Sequence, residues 1–68
     1  MSEVDKLQVL LPHWIEHNAE HAAEFRRWVD VAGQAAPELE SAAARMDSAN
    51  EALKEALSKL GGPPVSHE

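Results

Sequence analysis

Residues 13 to 24 read His-Trp-Ile-Glu, His-Asn-Ala-Glu, His-Ala-Ala-Glu. Three histidines, His13, His17 and His21, fall four apart, and each is followed three residues later by a glutamate: Glu16, Glu20 and Glu24. A helix advances about 100° per residue, so a four-residue step returns to nearly the same face with a drift of about 40°. Two imidazoles so spaced can chelate one divalent ion, and a carboxylate within a turn can add a ligand. All three histidines are not expected on one ion, because His13 and His21 stand about 12 Å apart along a straight helix. His17 and His21, with Glu20 or Glu24, therefore form the expected metal site. His13 joins it only if the backbone bends at Pro12, or holds a second ion; Glu16 points toward solvent. Imidazole and carboxylate without thiolate suit Ni, Zn, Co, Cu(II) or Fe(II) and argue against Cu(I), and the pattern selects no further among them.

The same ladder has a plainer reading. His–Glu pairs at i, i+3 and i, i+4 support an exposed helix by a few tenths of a kcal/mol each. Clustered imidazoles that protonate in mild acid would repel one another across an interface. The alternative function is thus a helical oligomerisation or protein-interaction module, free of metal, with a pH-sensitive His/Glu seam. Two enzyme-like matches are set aside. His13 to His17 spells His-x-x-Glu-His, an inverted metalloprotease signature, and His17 to His21 spells it again. That chemistry needs a deep cleft and a third ligand on a separate element, which a chain of 68 residues does not offer. The di-iron carboxylate pattern runs Glu-x-x-His, the reverse of the order here. No catalytic residue is expected. Arg26 and Arg27 are read as surface pairs for neighbouring carboxylates, and His67 as incidental.

The elements that carry the ladder follow from periodicity. Ser2 and Asp5 resemble a capping box that starts a helix near residue 3. Apolar residues then recur at steps of three and four from Val4 to Ala32, through Leu7, Leu11, Trp14, Ile15, Ala22, Phe25 and Trp28. Pro12 lacks a backbone donor, which predicts a kink or a restart there. Gly33 closes this helix, of about residues 3–33, and Pro37 opens a second, of about 37–60, that ends at Gly61-Gly62. Two long helices joined by a short turn must lie antiparallel, so the fold class is all-α, an antiparallel two-helix hairpin over residues 1–62 with a flexible tail over 63–68. In that register Asp47, Ser48, Glu51 and Glu55 run level with the ladder, which makes Glu51 and Glu55 further candidate ligands. Trp14, Phe25 and Trp28 are too large for one hairpin to cover, and a homodimer closing into a four-helix bundle is expected.

Composition narrows the function classes. There is no cysteine, which removes disulfides, thiolate metal sites and thiol catalysis. A formal net charge of −6 repels phosphate backbones, so no nucleic-acid partner is expected. No apolar run approaches the roughly 20 residues of a membrane span, and no basic segment leads into a hydrophobic one. A soluble, cytoplasmic protein is the expectation.

The stretch from Leu10 to His21, Leu-Leu-Pro-His-Trp-Ile-Glu-His-Asn-Ala-Glu-His, followed by Glu24-Phe25-Arg26 and Trp28, resembles a small His-rich hairpin domain of bacteria and archaea. That domain, of unknown function, occurs alone or appended to nickel-binding accessory proteins of carbon monoxide dehydrogenase maturation. The Ala-rich second helix and the Gly-Gly-Pro ending fit as well, and Pro-His-Trp-Ile-Glu-His-Asn is the most specific part. The nickel-binding fold of those accessory proteins is not present here, so their own ligands do not transfer. The resemblance implies a metal-handling context: nickel first, zinc or cobalt next, His13, His17 and His21 as sites, and a metalloenzyme maturation or metal-transport protein as partner.

Overall fold

The structure is a computed structural model that describes residues 2–64. The chain runs through α1 (Glu3–Arg27), two 3₁₀ turns (Val29–Val31 and Gly33–Ala35) and α2 (Ala36–Lys59). It is an all-helical hairpin, with no strand among the described residues. Residues 65–68, and with them His67 and most of the expected tail, lie outside the described residues.

Each boundary has a local cause. The Ser2 hydroxyl accepts from the Asp5 amide at 3.1 Å while the Asp5 carboxylate accepts from the Ser2 amide at 3.2 Å, so the capping box forms as read. Pro12 stands inside α1, which continues through it as one helix of 25 residues. No restart occurs there. A single missing donor is a small defect beside the packing of the turns around it, where Leu11 is 2% exposed. The α-helix closes at Arg27, earlier than periodicity predicts. From Trp28 onward the bonds tighten to three-residue closures, Trp28 to Phe25, Val31 to Trp28 and Ala32 to Val29, each at 3.2 Å. Gly33, at φ 59°, then reverses the chain, a conformation that side chains with a Cβ rarely adopt.

The far end of α2 is a Schellman closure. The Gly62 amide donates to the Leu57 carbonyl at 2.9 Å and the Gly61 amide to that of Ser58 at 3.1 Å, with Gly61 at φ 101°. The Gln8 side-chain amide donates to the carbonyls of Leu60 (2.8 Å) and Gly62 (3.1 Å), tying the end of α2 to the start of α1.

Between the helices the buried set is small: Leu11, Ala22 and Ala43 among apolar residues, and Asn50. Among the described residues no large side chain is fully buried. Asn50, at 6% exposure, donates to the Ile15 carbonyl at 2.9 Å and accepts from the Asn18 amide at 3.1 Å. These bonds satisfy both ends of a buried amide and allow only one sliding position between the helices. No helix among the described residues is long and apolar enough to cross a membrane.

Replacing Asn50 by Ala strands the Asn18 amide at the seam. The expected loss is about 1–3 kcal/mol of unfolding free energy by urea denaturation followed by circular dichroism. Asn18→Ala in the same background should add less than it does alone, because the bond it would remove is already gone. Strict additivity of the two substitutions would show that the pair does not act as a unit.

Candidate metal centre

The ladder stands on the middle of α1. His13, His17 and His21 are all exposed, as are Glu16, Glu20 and Glu24. The imidazoles form a continuous column of rings. His13 and His17 stack with centroids 6.0 Å apart, His17 and His21 meet edge-on at 4.7 Å, and His21 stacks on Phe25 at 6.0 Å.

These spacings separate the pairs. Metal–nitrogen bonds of about 2.0–2.1 Å at angles of about 90–109° put two coordinating ring centroids about 4.5–5.2 Å apart. The His17–His21 centroids, at 4.7 Å, fall in that range. The His13–His17 pair, at 6.0 Å, falls outside it. His13 lies one turn too far back along the unbroken helix to join the same ion.

The carboxylates are less available. One Glu24 oxygen accepts from the Trp28 indole N–H at 3.1 Å, and the other pairs with Arg27 at 3.3 Å. Both oxygens are drawn toward the C-terminal end of α1, so Glu24 must give up these bonds to become a ligand. Glu20 is exposed on the outer side of the helix. Glu51 and Glu55 are level with the ladder, since Asn18 meets Asn50, but they stand on the other edge of the hairpin. On that edge Arg26 pairs with Asp47 at 2.6 Å, and nearby Glu51 pairs with Lys54 at 3.8 Å. Neither glutamate completes the histidine pair within one chain. Among the described residues no three His, Asp or Glu side chains converge on a point that one ion could occupy. What one chain offers is two neighbouring imidazoles on an open surface.

A family model, a domain of unknown function designated DUF8180, matches residues 7–60, which take in the ladder and nearly all of both helices. The chain belongs to this family. No curated protein and no solved structure matches it. In this DUF8180 chain the matched region begins at the turn of Gln8, whose side chain holds the end of α2, and ends at Leu60, one of the two carbonyls it holds. The match therefore spans one complete hairpin.

Sequence reasoning missed the Asn18–Asn50 bridge, which sets which residues stand level with the ladder. A signal was present: each Asn sits in an otherwise apolar stripe, at positions that an antiparallel pairing brings opposite each other. The bond from Trp28 to Glu24 was also missed, although its i, i+4 spacing permits it.

Glu24→Ala should lower stability by less than about 1 kcal/mol, as for exposed pairs generally. It should also shift the Trp28 indole N–H resonance toward its solvent-exposed position in a ¹H–¹⁵N spectrum. An unmoved resonance would mean that the indole does not donate to Glu24.

Proposed function

We propose that this protein is a non-enzymatic, cytoplasmic binder of a divalent transition metal that acts as a homodimer in sensing, delivering or storing the ion. The observation that carries this reading is the 4.7 Å approach of His17 and His21 at the middle of α1. Those two imidazoles are the primary ligands. Glu20 and Glu24 complete the coordination, or accept from the second ring N–H and so fix which nitrogen faces the metal. His13 serves a second, weaker position. Two nitrogen ligands per chain are few for bulk storage, which favours sensing or delivery. Nickel is the first metal to test, with zinc and cobalt next, because the Leu10–His21 stretch resembles the hairpin domain appended to nickel-binding maturation proteins. That resemblance also makes a metalloenzyme maturation or metal-transport protein the partner class.

A second reading rests on a different observation. Trp14 is 41% exposed and Trp28 53%, and both flank the ladder. Such a surface would serve a metal-free interaction module as well, with the ladder as its electrostatic seam.

Calorimetric titration of chelator-stripped, tag-free protein with Ni(II), Zn(II) and Co(II) separates the two. The metal reading expects saturable, micromolar or tighter binding of at least one ion. It also expects loss of that binding in the His17→Ala/His21→Ala double variant, with helicity by circular dichroism unchanged. No heat with any of the three ions, and no thermal stabilisation by them, would leave the interaction module as the function.

A further inference from the structure

The hairpin has two unlike sides. Leu11 and Ala43 are buried between the helices, so each marks the direction of the opposite helix. Counting about 100° per residue from these marks, Trp14, His17, His21 and Trp28 turn to one side by about 60–120°. Met46, Ala49, Leu53 and Leu60 turn from Ala43 by the same angles. The helices are antiparallel, so both sets face the same side of the molecule. No Asp, Glu, Lys or Arg falls in this sector between Leu7 and Trp28 or between Leu39 and Leu60. The other side carries the Arg26–Asp47 pair together with Glu51 and Glu55.

The elongated chain has surface to spare for an interface. The chain exposes 5179 Å², against about 4,200 Å² for a compact protein of its mass. The excess of about 1,000 Å² is close to the roughly 800 Å² that each partner contributes to a stable interface. The radius of gyration, 15.3 Å, likewise exceeds the about 11 Å of a compact chain of this length. A chain with formal charge −6 repels its own copies everywhere except across a side that carries no charge.

Resting on the metal-binding reading above, we infer that a second copy of this chain docks on the uncharged side with its α1 antiparallel to the first, so that one divalent ion is held by His17 and His21 of both copies. The ladder's position supports this arrangement. α1 and its 3₁₀ extension run from Glu3 to Val31, and His17 is the midpoint of that run. Two copies related by a perpendicular two-fold axis level with residue 19, two residues from that midpoint, overlap along nearly their full length and set His17 of one opposite His21 of the other. Trp14, three residues before His17, and Trp28, seven after His21, turn to the same side and flank the imidazoles. Four imidazoles supply the donors that one chain lacks, and an all-nitrogen set suits Ni(II), Cu(II) or Zn(II) over Mg(II) or Ca(II). The ion's positive charge also offsets part of the repulsion between two acidic chains.

The test compares two exposed alanines of α2 on the full chain: Ala49→Glu, which places a charge on the uncharged side, and Ala44→Glu, which places one on the charged side. Neither position is a ligand, and glutamate is a good helix former. Native mass spectrometry and sedimentation velocity, with Ni(II) as the probe, should give one ion per two parent chains. The same stoichiometry is expected for Ala44→Glu. Ala49→Glu should be a helical monomer with Ni(II) affinity weakened by about tenfold or more, a loss at least as large as that of an outer-shell partner. One ion per monomeric parent chain, or unchanged affinity in Ala49→Glu, overturns the shared site while leaving the metal reading standing. A parent dimer that takes up no Ni(II), Zn(II) or Co(II) overturns the metal reading and the shared site together.

Discussion

Asn50 reaches from α2 to α1 with both ends of its amide, and the placement of everything else along the hairpin follows from where it lands. Its N–H meets the Ile15 carbonyl and its oxygen meets Asn18. An apolar residue at this position would pack against α1 in several registers of similar energy, because the alanines of α2 present a nearly uniform surface. A buried amide tolerates no such sliding, since a shift of one turn would leave a donor and an acceptor dry and unpaired. The bridge thus trades burial of apolar area for a single alignment. With the alignment set, Gln8 finds the end of α2, Arg26 finds Asp47, and the histidine column comes to stand at mid-length.

The division of labour between the two sides of the hairpin is a second organising fact. The described ion pairs leave the uncharged side clear from Leu7 to Trp28: Lys6–Glu3 lies ahead of it in the first turn of α1, Arg27–Glu24 on the outer face of that helix, and Arg26–Asp47 and Lys54–Glu51 on or beside the charged edge. All are exposed, so each adds little to stability. Their value is in placement, since they gather charge on the water-facing surfaces and leave the imidazoles among Trp, Leu and Ala. Imidazoles in such surroundings have no carboxylate of α2 on their own side of the hairpin.

Much of the fold could be read from residue types alone. The Ser2–Asp5 box, the Gly33 reversal, the Pro37 opening and the Gly61-Gly62 stop are each local chemistry, set by a handful of neighbouring atoms, and each occurs where the sequence places it. The end of α1 was less legible. Whether a turn closes over three residues or four between Trp28 and Ala32 depends on how the reversal docks against α2, which no local pattern records. For the candidate site, spacing alone singled out His17 and His21, whose rings stand 4.7 Å apart. Spacing also gave the level of Glu51 and Glu55 but not their side, because level depends on register and side depends on the direction each helix faces. The commitment of Glu24 to Trp28 and Arg27 likewise required the side-chain geometry.

The Gln8 clasp has an architectural consequence. By tying the start of α1 to the last carbonyls of α2, it brings both ends of the hairpin to the same pole, opposite the Gly33 reversal. A neighbouring domain joined at either end would meet the hairpin at that pole, and the rod would project from it like a mast. His17 stands nine residues along α1 from Gln8, about 14 Å up that mast. The imidazoles would then be held clear of that attachment point, leaving their side of the rod open to a second copy along its length.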